Sequence, residues 1–149
     1  MTATTFHVHK TRPDAVLPSR AHPTDSGFDL VLLEPTKTVG DVTFYSTGIS
    51  IRPPEGMYFD LVARSSLSKT GYMLANGIGI IDRDYTGEIL VALRKVDKDA
   101  MVLTLPAKVV QLIPRRWYDL IPVEAPEGLP GTDRGDGGFG STDAAKNKI

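Results

Sequence analysis

The chain has 149 residues, with 17 basic and 18 acidic side chains and a formal net charge of -1. This near balance excludes the strong positive field that long nucleic acid or an anionic membrane requires, so an anionic partner should be small. The absence of cysteine excludes disulfides, thiolate catalysis and cysteine-based metal sites. The N-terminal segment MTATTFHVHK lacks the apolar core of a signal peptide, and no apolar run reaches membrane-spanning length. We therefore expect a soluble intracellular protein, cytoplasmic or nuclear.

Short segments rich in β-branched and aromatic residues recur along the chain, between turns that use many of its 14 glycines and 11 prolines. No segment carries an apolar stripe of helical period over three turns. These features predict an all-β domain, a jelly-roll-like sandwich or barrel, with at most one short helix near Ser65 to Gly71. The predicted strands are FHVHK, FDLVLL, VTFYSTGISI, MYFDLVA, GIGII, EILVALRKV, MVLTL, VVQLIP and WYDLIPV.

The C-terminal end differs from the rest in composition. From Glu124 to Ile149 the sequence is rich in Pro and Gly and contains the run RGDGGFGST at residues 134–142. Such a segment cannot build a core, and fully extended it would span about 85 Å. We therefore expect a single domain in which residues 1–123 form the β-barrel and residues 124–149 form a flexible arm that reaches a distant site.

The stretch NGIGIIDRDYTGE at residues 76–88 carries the strongest chemical signal. A β-branched apolar run ends at Ile81, Asp82 follows it, and residues 88–96 resume a strand pattern, which predicts a hairpin. A carboxylate at the end of an apolar strand is held by the sheet while its protonation can be tuned, so Asp82 is the first candidate for a general base. The alternative is that Asp82 and Asp84 are ordinary turn formers.

A second set of polar residues comes directly after the predicted strand MYFDLVA. These residues are Arg64, Ser65 and Ser66. A guanidinium beside two hydroxyls and free turn amides is suited to a phosphate group, because it offers forked charge and directed donors. The alternative is a helix N-cap, in which Ser65 or Ser66 satisfies the amides of a turn through Lys69.

Two further polar residues lie within or beside predicted strands. Gln111 stands among apolar residues in VVQLIP, so its amide must find a backbone partner or a ligand. Asp29, just past a glycine turn in DSGFDL, could hold a metal-bound water.

The RGDGGFGST run in the arm offers close backbone approach, hydroxyls, a charge and an aromatic face on which a base can stack. The residues that supply these groups are Gly135, Gly137, Gly138, Gly140, Ser141, Thr142, Arg134 and Phe139. The alternative is a disordered tail.

Taken together, five motifs resemble in order and spacing those of the trimeric deoxyuridine triphosphate nucleotidohydrolases, the dUTPases. They are DSGFDL at 25–30, RSSL at 64–67, NGIGIIDRDYTGE at 76–88, VVQLIP at 109–114 and RGDGGFGST at 134–142. The resemblance implies a jelly-roll subunit, a homotrimer, and active sites at subunit boundaries that each receive an arm from a neighbour. It implies hydrolysis of dUTP to dUMP and pyrophosphate with Mg²⁺, which limits uracil incorporation into DNA and supplies dUMP for dTMP synthesis. No stable binding of nucleic acid and no membrane association are expected.

The same resemblance implies roles for the residues of the 76–88 stretch. Asp82 would activate the attacking water, and the Tyr85 ring would lie under the deoxyribose and exclude a ribose 2′-hydroxyl. Asn76 and nearby backbone would read the edge of uracil. Gly79 would leave room for the base, and Ile81 would line its pocket.

The other motifs would hold the phosphates. Arg64, Ser65, Ser66 and Gln111 would bind the phosphate chain, and Asp29 would orient water on a magnesium ion bound to that chain.

The arm would close over the nucleotide and its terminal phosphate. The residues that the resemblance assigns to this closure are Arg134, Phe139, Gly140, Ser141 and Thr142. The sequence departs from the family pattern in several places. Among them, Ser66 stands where Gly is frequent, and Asp143 replaces the Gly after GST. Because a carboxylate repels phosphate, Asp143 would weaken arm closure unless it points to solvent.

Two other functions remain open from the sequence. A dCTP deaminase shares the fold and an RSSL-like stretch, but it uses a glutamate in the base pocket. A catalytically silent nucleotide-binding trimer is the other alternative, since jelly rolls serve many functions.

Overall fold

A computed structural model describes residues 3–141. The described residues divide into two units, with the boundary between Tyr118 and Asp119. The division lies N-terminal of Glu124, where we expect the arm to begin. Within the described range there is no helix long and apolar enough to cross a membrane.

Residues 3–118 contain ten β-strands and one short 3₁₀ helix, Ser65–Lys69. The all-β prediction and its single short helix are therefore confirmed. The strands are β1 (His7–Lys10), β2 (Phe28–Leu32), β3 (Glu34–Val39), β4 (Val42–Ser46), β5 (Ile49–Arg52), β6 (Met57–Ala63), β7 (Tyr72–Leu74), β8 (Gly79–Ile81), β9 (Leu90–Lys95) and β10 (Ala107–Arg116).

The strands form two four-stranded sheets and one two-stranded sheet, and every pairing is antiparallel. One large sheet has the order β2-β10-β6-β8, the other has the order β3-β4-β9-β7, and β1 pairs with β5. The central strands contribute buried apolar residues to one core, as expected for sheets that each bury a face. The core residues include Leu30, Leu32, Phe59, Leu61, Val91, Leu93, Val110 and Leu112.

Two predicted strands are absent and two observed strands were not predicted. The segments MVLTL and WYDLIPV are unpaired, and Met101 and Val102 are 84% and 86% exposed. The missed strands β3 and β7 are the two edges of one sheet. Because an edge strand pairs on one side only and β3 is exposed throughout, its residues EPTKTV need no apolar alternation.

The predicted hairpin across residues 76–96 is wrong in its pairing. Strand β8 pairs with β6, whereas β9 pairs with β4 and β7 in the other sheet. Ile81 at the end of β8 and Ile89 before β9 are both buried in the common core. Residues 82–88 therefore cross from one sheet to the other and lie at the border between them.

A buried hydroxyl fixes the end of this crossing. Thr47 is 1% exposed, and its Oγ1 donates a hydrogen bond of 2.6 Å to the backbone carbonyl of Ile89. The bond joins the β4–β5 connection to the point where the chain enters β9.

We expect Thr47→Val to lower the free energy of unfolding by about 1–3 kcal/mol, because it leaves the Ile89 carbonyl buried without its donor. Thr38→Val is the matched control, since Thr38 is exposed and its hydroxyl contacts only Thr43 Oγ1 at 3.3 Å. Urea unfolding of both variants measures the difference. Equal stability of the two variants would contradict the assigned role of Thr47.

Candidate functional site

A cavity of about 320 Å³ lies where residues 82–88 cross between the two large sheets. It is lined by all five residues that the family resemblance assigns to base, sugar and water: Asn76, Gly79, Ile81, Asp82 and Tyr85. Buried side chains of both sheets, among them Leu61, Leu74 and Val91, form its apolar floor. The combination of an apolar floor with a few polar groups is typical of sites for small organic molecules.

Asp82 leaves the buried end of β8 and is itself exposed on the wall of this cavity. Its backbone carbonyl accepts a hydrogen bond of 3.1 Å from the amide of Tyr85, which closes a tight turn. The strand fixes the backbone on one side of Asp82 and the turn fixes it on the other. The backbone of Asp82 is therefore held at a defined place, while its carboxylate remains accessible to water.

Tyr85 is anchored to the end of the same crossing segment. Its hydroxyl donates a hydrogen bond of 2.8 Å to the Glu88 carbonyl. The Glu88 carboxylate accepts bonds of 2.9 Å from Ser46 Oγ and 3.1 Å from Thr11 Oγ1. These contacts hold the hydroxyl end of the Tyr85 side chain against the protein, although the residue is 47% exposed.

Gly79 controls the width of the cavity. A Cβ atom at this position would lie 3.3 Å from both Asn76 Nδ2 and Leu61 Cβ, closer than most side-chain contacts. Any larger residue would crowd the amide of Asn76, so glycine keeps this wall open.

A second cavity, of about 300 Å³, brings together Asp29, Arg64, Ser65 and Gln111. Asp29 on β2 and Gln111 on β10 are direct register partners, and Arg64 follows the end of β6, which pairs with β10 on the other side. The antiparallel order β2-β10-β6 therefore places motifs far apart in sequence side by side.

Arg64 is held by two contacts in this second cavity. Its Nε lies 3.0 Å from Asp29 Oδ1, and its Nη1 donates a bond of 2.6 Å to the Lys108 carbonyl. Gln111 finds the backbone partner that the sequence required, since its Nε2 donates to the Ala63 carbonyl at 3.1 Å. The guanidinium and the amide are thus oriented before any ligand arrives.

The serines of the RSSL motif behave differently from each other. Ser65 lines the second cavity, whereas Ser66 does not and donates from Oγ to the Lys108 carbonyl at 3.3 Å. The helix cap is Arg64, and no side chain makes a capping hydrogen bond. The N-cap alternative for these serines is therefore wrong.

The two cavities share no lining residue in the described part of the chain. Asp82 and Tyr85 belong to the first, and Arg64 and Gln111 belong to the second. Within residues 3–118, one chain therefore does not bring the base candidate and the anion-binding groups into a common cavity.

In the C-terminal unit, Arg134 Nε donates to the Gly137 carbonyl at 2.9 Å, and the Ser141 amide donates to the Gly138 carbonyl at 3.1 Å. Phe139 precedes Gly140, is fully exposed, and has a left-handed φ of 50°. L-residues adopt this conformation at a cost of about 1–2 kcal/mol. Its ring is free of contacts with apolar neighbours in this unit and is available to a ligand.

Thr142 and Asp143 lie outside the described residues. Their assignments remain predictions from the sequence.

The donor set near Asp29 fits a magnesium ion that is held partly by water and phosphate. Asp25 and Asp29 both line the second cavity, and the Asp29 side chain is 15% exposed. Across residues 3–141, no group of three His, Cys, Asp or Glu residues could hold a metal unaided. Mg²⁺ typically uses one or two carboxylates together with waters and substrate phosphates, which agrees with this arrangement.

Sequence reasoning missed residues that reach the first cavity from the opposite sheet. Lys37 on β3 and Phe44 on β4 both line it, and Lys37 Nζ lies 4.6 Å from the Phe44 ring centroid. Glu88 also lines the cavity. Because Lys37 lies on an edge strand that the sequence pattern does not predict, no local signal could have found it.

Comparison with known proteins identifies relatives of this chain. The family model described as dUTPase matches residues 14–143. The deoxyuridine 5′-triphosphate nucleotidohydrolase of Mycobacterium leprae is 35% identical over 147 residues, covering 94% of this chain and 96% of that protein. The enzyme of the same name from a Hydrogenobaculum species is 37% identical over 138 residues, covering 91% and 95%.

A solved structure shares the fold. The dUTPase of Staphylococcus bacteriophage 80alpha, determined with dUPNHPP, superposes with a TM-score of 0.73 at 22% identity, covering 93% of this chain and 98% of that one. The family match decides against the deaminase alternative. The chain belongs to the dUTPase family.

Proposed function

We propose that this protein hydrolyses dUTP to dUMP and pyrophosphate. The observation that carries the proposal is the first cavity, in which Asp82 and Tyr85 meet Asn76 and Gly79 on an apolar floor. Membership of the dUTPase family supports the choice of substrate. In the cell this reaction would limit uracil incorporation into DNA and supply dUMP for dTMP synthesis.

The first cavity would take the deoxyuridine part of the substrate. Asn76 and neighbouring backbone groups read the hydrogen-bonding edge of uracil, and Ile81 packs against the base. Gly79 leaves room for the base, because a Cβ atom there would crowd Asn76 and Leu61. The Tyr85 ring, fixed through its bond to Glu88, lies under the deoxyribose and excludes a 2′-hydroxyl by contact.

Asp82 is the general base in this proposal. It accepts a proton from a water molecule while the water oxygen forms a bond to the α-phosphorus. The bond from that phosphorus to the bridging oxygen breaks, and pyrophosphate leaves. A positioned base of this kind contributes typically 10²–10⁴-fold to the rate.

The phosphate chain would bind to Arg64, Ser65, Ser66 and Gln111. Because Arg64, Ser65 and Gln111 line a cavity separate from that of Asp82, we infer that the second cavity of one subunit completes the first cavity of another. Such sharing is consistent with a homotrimer that has three active sites at subunit boundaries.

Asp29 would orient a water molecule on a magnesium ion carried by the phosphates. When bound there, Mg²⁺ would neutralise the negative charge that develops on the leaving pyrophosphate. Arg64 lies 3.0 Å from Asp29, so one cation stands beside both the carboxylate and the place proposed for the phosphates.

The C-terminal arm would close over the nucleotide. Phe139 stacks on the uracil, Arg134 and Ser141 contact the phosphates, and Gly140 permits close backbone approach. Thr142 would add a hydroxyl to the terminal phosphate. Closure orders a glycine-rich segment and therefore depends on the contacts that a bound nucleotide supplies.

We expect Asp82→Asn to lower kcat by about 10²–10⁴-fold while the fold and dUTP binding persist, since the change removes charge but little volume. Pyrophosphate release with Mg²⁺ measures the rate, and calorimetry measures binding. Asp41→Asn is the control, because Asp41 is an exposed carboxylate outside both cavities that pairs with Arg94. Activity of Asp82→Asn near that of the wild type would refute the mechanism.

We expect Gly27→Ala to raise the KM for dUTP roughly tenfold, equivalent to about 1.4 kcal/mol. A Cβ atom at Gly27 would lie 2.1 Å from Gln111 Oε1, so the amide must leave its place in the second cavity. Steady-state kinetics test this.

Gly131→Ala provides the control for that substitution, because its Cβ would meet nothing within 4 Å. If Gly27→Ala left KM at the control value, Gln111 would have no part in binding the phosphates.

A further inference from the structure

Arg52 contacts the turn that carries Asp82 without lining the Asp82 cavity. Its Nη1 donates a hydrogen bond of 3.0 Å to the Arg83 carbonyl and lies 3.3 Å from Asp84 Oδ1. Arg83 and Asp84 are the two residues between Asp82 and the Tyr85 amide that closes the turn. A single nitrogen of Arg52, Nη1, therefore contacts both central residues of the turn from outside the Asp82 cavity.

Arg52 is well placed to act as a fixed support. It is the last residue of β5, whose side chains Ile49 and Ile51 are 1% and 4% exposed in the core. Strand β5 pairs with β1, and Pro53, which follows Arg52, is also fully buried. The backbone at Arg52 is therefore immobilised on both sides.

The turn is closed by its own backbone hydrogen bond, but three of its side chains have little packing support. Asp82, Asp84 and Thr86 are all exposed, so few packing contacts determine their orientation. The contacts of Glu88 with Ser46 and Thr11 fix the far end of the crossing segment, near Tyr85. Arg52 adds a side-chain contact at the near end, next to Asp82.

We propose that Arg52 is a positioning residue that sets the orientation of Asp82 toward the attacking water. The inference rests on the proposed role of Asp82 as general base. Holding the Arg83 carbonyl fixes the peptide plane between Arg83 and Asp84, and this plane determines how the turn is rotated about the end of β8. Rotation of the turn would swing the Asp82 carboxylate away from the water, and small displacements of a catalytic group are costly in rate.

The test compares Arg52→Ala, Arg52→Lys and the matched control Arg94→Ala. Arg94 makes a similar exposed ion pair, with Asp41, and its side chain is 45% exposed against 43% for Arg52. Steady-state pyrophosphate release from dUTP with Mg²⁺ gives kcat and KM, and thermal unfolding gives Tm.

We expect Arg52→Ala to lower kcat by about tenfold with KM within about twofold of wild type, because orientation of the base affects the chemical step and not substrate binding. Its Tm should match that of Arg94→Ala. Arg52→Lys should recover most of the lost rate, since one nitrogen makes both contacts and a lysine ammonium can replace it.

Two results would overturn the inference. One is a kcat for Arg52→Ala equal to that of Arg94→Ala. The other is a loss of rate that accompanies a fall in Tm and is not recovered by lysine, which would make Arg52 structural only.

Measuring Asp82→Asn in parallel distinguishes failure of the Arg52 inference from failure of the proposed function. If wild type and Asp82→Asn were equally active, the role of Asp82 would fail and the inference with it. If Asp82→Asn were inactive and Arg52→Ala fully active, only the inference would fail.

Discussion

The site depends on one constraint, which is that the chain must cross between two sheets that share a core. Ile81 closes β8 in one sheet and Ile89 precedes β9 in the other, and both are buried. Their burial fixes the two ends of the connection, so residues 82–88 have to bridge the gap at the border of the sandwich. Polar residues placed there are accessible to solvent and yet lie against an apolar floor.

The connection is stabilised by polar contacts, since it buries little of itself. The Thr47 hydroxyl holds the Ile89 carbonyl, Ser46 holds the Glu88 carboxylate, and Arg52 holds the Arg83 carbonyl. Each donor lies on β4 or β5 or in the link between them. One continuous segment of the chain, residues 46–52, thus supports the segment that carries the proposed chemistry.

Much of the site could be predicted from the sequence because its signals are local. Asp82 follows an apolar run, and Arg64 with Ser65 follows a strand, so their chemistry is visible without knowledge of the pairing. Asp29 and Gln111 come together because the sheet places β2 beside β10. Asn76, Gly79, Ile81 and Tyr85 likewise reach the first cavity from one stretch of the chain, although its floor comes from both sheets.

The strand pairing and the residues that reach the first cavity from the opposite sheet could not be predicted. They depend on contacts between segments that are distant in sequence, which local patterns do not encode. A hairpin and a crossing between sheets have the same alternation of apolar residues, so the pairing of β8 with β6 could not be deduced. Strand β3 is exposed along its whole length, and with it Lys37 was missed. MVLTL has the composition of a strand but no neighbouring strand pairs with it within the described chain.

The candidate groups lie in two separate cavities. Asp82 lines one, and Arg64, held by Asp29 and Lys108, lines another. A nucleoside triphosphate would need both sets of groups at once. The proposed site therefore combines groups from at least two copies of the chain.

The most direct test mixes two inactive variants, Asp82→Asn and Arg64→Ala, after each is shown to be folded. Native mass spectrometry verifies that their subunits have exchanged, and pyrophosphate release from dUTP is then measured. Shared sites predict that mixed oligomers regain activity, because some sites pair an intact Asp82 from one parent with an intact Arg64 from the other. A mixture that stays as inactive as its parents after verified exchange would show that Asp82 and Arg64 act within one chain, which contradicts the account.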